Sequence, residues 1–201
     1  MTMTEAIRPL PEIDAEIAFV NCRYITDGTH AFIYKVDVTY DTTVIETCCL
    51  KIFRKGMMTP YNLEITAYEY LRHAGVEYYI PQVYGCGHRT VSSWGLEEIE
   101  GDRVGTYYGI LMEWLEGAEQ VSEENITLEQ TLSLVVGLLK IHDAGVLHAD
   151  ICQENIVVIP RTSRGVWLDF SCAKVGHEYY HKQELEYEGL LPIILVRVQY
   201  C

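Results

Sequence analysis

Apolar and β-branched residues fall into three runs near the start of the chain, residues 17–25, 31–40 and 44–53, with turn-forming pieces between them. This predicts three strands. Asp27-Gly28 marks the first turn and Tyr40-Asp41-Thr42-Thr43 the second, which makes the strands antiparallel. The period then changes: Pro60 opens a segment in which Leu63, Ala67, Tyr68 and Leu71 recur at helical spacing, and Gly75 closes it. Short apolar runs at 80–85 and 107–114 predict two more strands, on either side of an acidic, exposed connection at 97–103. Thr127-Leu128-Glu129-Gln130 has the form of a capping box. The helix it starts carries Leu128, Leu132, Val135, Leu138, Leu139 and Ile141 as its core-facing positions and ends at Gly145. Two short apolar runs, 156–159 and 166–168, read as buried strands on either side of a polar loop.

Composition narrows the class. With 201 residues, 49% hydrophobic and 22% charged, the chain is an ordinary α+β globular protein of one large domain or two small lobes. A formal net charge of −14 with no basic stripe opposes nucleic acid and anionic membrane surfaces as partners. The seven cysteines include no CxxC pair, so neither a disulfide framework nor a zinc knuckle is implied. Residues 1–14 lack a signal pattern, and no apolar stretch has the length of a membrane span. A cytoplasmic or nuclear protein, not a secreted one, is the expectation.

The chemistry concentrates after the second helix. In His148-Ala149-Asp150-Ile151-Cys152-Gln153-Glu154-Asn155 an Asp stands two residues after a His, and an Asn five after the Asp. The second apolar run ends in Asp169-Phe170-Ser171. Two carboxylates and a carboxamide at the ends of short strands supply hard oxygen ligands for a metal–phosphate complex and a base for a hydroxyl. The order resembles the H-x-D-x-x-x-x-N catalytic loop and the D-F-G metal loop of the protein-kinase-like superfamily. Upstream, Cys48-Cys49-Leu50-Lys51 resembles the V-A-I-K strand, and Glu113-Trp114-Leu115-Glu116-Gly117 the hinge. The stretch from Thr26 to Ile33 resembles the glycine-rich phosphate loop, of whose glycines only Gly28 is kept; Thr26 and Ala31 stand at the other two positions. Glu64 or Glu69 can face Lys51, and Glu64 with Tyr68 and Leu71 resembles the corresponding helix of short fungal protein-kinase-like proteins.

The resemblance spans about residues 17–171 and implies a two-lobed fold. Residues 1–16 are then an N-terminal extension, 17–114 a small antiparallel-sheet lobe with one helix, and 115–201 a shortened, mainly helical second lobe. It implies ATP and Mg²⁺ as cofactors. Lys51 and Glu64 position the phosphates, Asp150 serves as base or orienting group for the acceptor, and Asn155 and Asp169 hold the metal. Gly28, Ala31, Ile33, Cys49, Lys51, Met112, Glu113, Leu115 and Val157 surround the nucleotide, with backbone groups of Glu113 and Leu115 meeting the adenine. His148 and His142 are structural.

Departures from the pattern limit the activity. Ala149 replaces the Arg that reads activation-loop phosphorylation, and Cys152 replaces a phosphate-neutralising Lys. Only 172–201 follows the metal loop, which leaves no room for peptide-docking helices. The expected function is slow ATP-dependent phosphoryl transfer to a hydroxyl of an unknown protein or small molecule. The alternative is a pseudokinase that binds nucleotide or a protein partner. His177-Glu178-Tyr179-Tyr180-His181 also satisfies H-E-x-x-H, but the position six beyond His181 is Tyr187, not a third ligand. That segment, 177–188, is read as a charged, exposed helix able to bind metal incidentally through His177 and His181. The apolar run 190–196 is a candidate homodimer contact.

Overall fold

The computed structural model describes residues 6–40, 43–176, 179 and 182–194. Strands β1 (Ala18–Asp27), β2 (Ala31–Tyr40) and β3 (Thr43–Phe53) pair antiparallel, and β2 has the bounds that its pattern predicts. Asp41 and Thr42, in the predicted second turn, lie outside the described residues. Helix α1 (Met58–His73) begins two residues before Pro60. The first four helical N–H groups have no partner within a helix, so proline at the third position breaks no hydrogen bond. The strands β4 (Val83–Thr90) and β5 (Thr106–Glu113) complete a five-stranded antiparallel sheet in the order β1-β2-β3-β5-β4.

Two compact units divide the chain. The first comprises Leu10–Asn62 and Gln82–Trp114; the second takes Leu63–Pro81 and the described parts of Met1–Pro9 and Leu115–Cys201. The sheet unit ends at Trp114, and most of α1 groups with the second unit. In the sheet unit Tyr34, Val36, Leu50, Ile52 and Leu111 pack on one sheet face with Phe19 and Trp94. Trp94 lies in the 91–105 connection, of which 97–103 is predicted to be exposed. Its ring lies 5.5 Å from Phe19, its indole N–H donates to the Tyr107 carbonyl at 3.1 Å, and Ile99 of the same connection is also buried. The N-terminal extension contributes as well, because Ile13 and Cys86 each donate a backbone N–H, to Cys86 and Pro11 respectively, alongside β4.

The second unit is built on α2 (Leu128–Asp143), with the short strands β6 (Glu119–Gln120), β7 (Val146–Leu147), β8 (Ile156–Val158), β9 (Gly165–Trp167) and β10 (Lys174–Val175), and α3 (Gln183–Ile194). The capping box forms: Thr127 Oγ1 accepts from Gln130 N–H and Gln130 Oε1 from Thr127 N–H. Gly145, at φ 76°, follows the last turn in the left-handed conformation that glycine adopts without strain. The buried face of α2 differs from the prediction. Gln130, Leu134, Gly137, Leu138, Ile141 and His142 are buried, whereas Leu128, Leu132 and Leu139 are exposed. A helix apolar on two faces carries no periodic signal saying which one packs. Trp167 decides it, because its indole N–H donates to the Leu134 carbonyl and a Cβ on Gly137 would sit 3.2 Å from its ring. Among the described residues no helix is long and apolar enough to cross a membrane.

Candidate functional site

In the sheet unit, strand register places the predicted nucleotide-facing residues together. Ile33 pairs with Lys51 and Cys49 with Met112, and alternate residues of a strand share a face. Ala31, Ile33, Cys49, Lys51 and Met112 therefore occupy one sheet face, opposite the core of Tyr34, Leu50 and Leu111. Ala31 and Met112 are buried; Ile33 and Cys49 are half-buried. Lys51 is only 5% exposed, with its ammonium 5.3 Å from the Phe53 ring centroid. Glu113 lies on the other face, paired with Cys48, and its N–H is taken by the Gln82 carbonyl at 2.8 Å.

The hairpin turn at Gly28 is held closely. Gly28 N–H donates to the Ala31 carbonyl, and Arg54 Nε–H donates to the Gly28 carbonyl at 3.2 Å. The Arg54 guanidinium also pairs with Asp27 and Glu100 and stacks 4.0 Å over Phe32. Arg54 thereby neutralises the Asp27 carboxylate beside the Gly28 turn.

In the second unit, Glu64 falls on the buried stripe of α1 with Ala67, Tyr68 and Leu71, and is fully buried. Leu63, predicted to face the core, is exposed, while Glu69 is half-buried. A carboxylate where the helix otherwise buries hydrocarbon is costly, so such positions mark specific charge partners or functional sites. One turn on, Tyr68 packs edge-on against Phe170 at 5.3 Å, which fixes the residue beside Asp169.

Hydrogen bonds tie the polar loop together. Asn155 Nδ2 donates to the Asp150 carboxylate at 2.9 Å and to the Asp150 carbonyl at 3.0 Å. The Asn155 carbonyl accepts from Leu168 N–H, and the Leu168 carbonyl accepts from His148 Nε2–H, both at 2.9 Å. Leu168 precedes Asp169, whose Oδ1 accepts from Ser171 N–H at 3.1 Å. Ala149 and Asp169 both take left-handed φ, 63° and 59°, a strained backbone of the kind found at functional sites. Asp150 points outward, exposed. The Asn155 amide oxygen and the Asp169 carboxylate are hard oxygen donors of the kind that Mg²⁺ takes. Burial raises the pKa of the Cys152 thiol, so it adds no charge near neutral pH. Val157, half-buried on β8, pairs with Gln120 and Val166. Leu115 is half-buried, and its carbonyl accepts from Ala118 N–H. A cavity of about 280 Å³ opens beside the loop, lined by Ser122, Glu123, Glu124, Gln153, Pro192 and Ile193.

His148 is completely buried against Trp167 and Phe170, and burial lowers its pKa from the ordinary 6.5. The neutral ring donates from Nε2, as the Leu168 bond requires. The sign of the linkage follows: the unfolded chain takes up a proton that the folded loop refuses. This contribution to stability is full above about pH 6.5 and declines below it, by at most about 1.4 kcal/mol per pH unit. Thermal melts from about pH 7.5 to 5 are expected to show a steeper loss for the native chain than for His148→Phe. Equal slopes would remove His148 as the source.

Sequence reasoning missed Glu186. The 177–188 segment, predicted to be charged and exposed, instead contributes a buried carboxylate from α3, while its His177, Glu178, Tyr180 and His181 lie outside the described residues. Glu186 Oε2 accepts from His142 Nε2–H at 2.7 Å and from His148 N–H at 3.2 Å; Oε1 accepts from Ala149 N–H. His142 Nδ1 in turn accepts from the Tyr187 hydroxyl at 3.0 Å. The signal available in sequence was the buried-helix pattern Glu186, Leu190 at i, i+4, which acidic neighbours obscured. Leu190 is buried, and Leu195 and Val196 of the apolar run lie outside the described residues. The sequence matches no protein-family model and no curated protein.

Proposed function

We propose that the chain is an ATP-dependent, kinase-like phosphotransferase that passes the terminal phosphoryl group to a hydroxyl acceptor. The observation that carries the reading is the Asp150–Asn155 hydrogen bond, with Asn155 joined through Leu168 to the Asp169 turn. A base and two metal-binding oxygens held by one short network are what phosphoryl transfer requires, since its catalysis is positioning plus charge stabilisation. Asn155 and Asp169 hold Mg²⁺, Lys51 contacts the phosphates, Glu64 is the acid that the resemblance gives to Lys51, and Asp150 orients the acceptor. The face of Ala31, Ile33, Cys49 and Met112 takes the adenine. Mg²⁺ held by these residues would supply positive charge to offset the charge developing on the transferring group.

A second reading, a binding module of low or no turnover, is favoured by Asp27 in the phosphate-facing turn and by the neutral Cys152. Thermal unfolding with ATP, with and without Mg²⁺, tests nucleotide binding common to both. At about a hundred times the dissociation constant, ligand adds about 2.7 kcal/mol, a shift of several degrees for this chain length. The shift is expected to require Mg²⁺ and to vanish in Asp169→Asn. Absence of any shift in the native chain overturns the nucleotide site.

A further inference from the structure

We propose that the exposed apolar seam of α2 is a homodimer interface in which two copies of the helix pack antiparallel. Leu128, Leu132 and Leu139 are 66%, 56% and 46% exposed, and half-buried Val135 lies between them. Their spacing of four, three and four residues is the repeat that two helices need to pack side by side along a seam. The opposite face of α2 already lies in the core of its own unit, so the seam is a second apolar surface, and leaving it in water serves no purpose within one chain.

Charge selects a second copy as the occupant. Glu129 sits in the first turn and Lys140 in the last, both beside the seam, and neither side chain has a partner among the described residues. An antiparallel pair opposes Leu128 with Leu139 and Leu132 with Val135. It brings Glu129 of each copy beside Lys140 of the other, so one two-fold axis satisfies both charges twice. A parallel pair would put the flanks that carry Glu129 and Lys140 in the two copies on opposite sides of the seam, so neither charge would meet its opposite. The antiparallel order also opposes the helix macrodipoles favourably. One helix pair is a small interface, so the dimer is reversible.

Sedimentation velocity of the whole chain from about 1 to about 200 µM tests it. The mass is expected to rise from one chain to two across the series. Leu132→Glu is expected to hold the chain monomeric throughout with an unchanged thermal midpoint, because the side chain is already more than half exposed; Leu128→Ser provides an independent second disruption. Glu129→Lys should weaken the dimer about tenfold, and adding Lys140→Glu should restore it. A native chain that stays monomeric overturns the proposal and leaves the seam to a different protein. A dimer indifferent to both leucine variants overturns it too, because the interface then lies elsewhere. A dimer lost in Leu132→Glu but blind to the charge exchange overturns the antiparallel arrangement.

Discussion

Glu186→Ala is expected to destabilise the fold by about 3–5 kcal/mol, because donors that bond to a carboxylate are left without an acceptor at about 1–3 kcal/mol each. Three donors lose their acceptor at once: His142 Nε2–H and the N–H groups of His148 and Ala149. A carboxylate suits three donors because it only accepts, through two oxygens. Glu186→Gln keeps the shape but turns one accepting atom into a donor aimed at another donor, so it too is expected to destabilise, by less. At this length each kcal/mol moves the melting midpoint by about 2–4 °C, and a drop of roughly 10 °C follows for the alanine variant. Calorimetry of the three proteins checks the order native, glutamine, alanine. A fall under about 2 °C in Glu186→Ala would show that the loop stands without this carboxylate.

Asp150→Asn is expected to lower phosphoryl transfer by about 10²–10⁴-fold, the usual contribution of a general base. The fold should be spared, because Asp150 is exposed and an amide oxygen can still accept from Asn155 Nδ2–H. The magnesium-dependent thermal shift with ATP should also persist, since Asp150 does not hold the metal. Turnover of labelled ATP, with loss of kcat and little change in KM, is the readout. A native chain that binds Mg²⁺-ATP yet transfers no faster than Asp150→Asn would support the binding-module reading instead.

The two variants act on adjacent atoms for different reasons. Ala149 N–H, fixed by Glu186, immediately precedes Asp150, and the left-handed φ at Ala149 turns the chain between them. Glu186 is accordingly a positioning residue: its conservative variant should disturb transfer and stability together, whereas Asp150→Asn should separate them.

Much of the local structure was legible in sequence because its causes are local. Alternation of β-branched residues set β2, a reciprocal side-chain-to-backbone pair set the start of α2, and the one residue tolerant of positive φ, Gly145, set its end. The polar loop likewise shows its oxygen donors, Asp150, Asn155 and Asp169, in sequence, and the fold joins the first two by a hydrogen bond. Choices between faces depended on distant residues. Leu128 and Leu134 are equally apolar, yet Trp167 packs beside only one of them; Leu63, expected on the core face, is exposed; Ile99 is buried within a connection that reads as solvated. Glu186 is the plainest case. Within its own helix only Leu190, four residues on, hints at a buried face, and what buries it are donors about forty residues earlier, brought to it by α2 and the turn after β7. Short-range periodicity and capping chemistry therefore determined where elements begin, end and repeat; long-range packing and the need to satisfy buried donors decided which face, and which carboxylate, went inside.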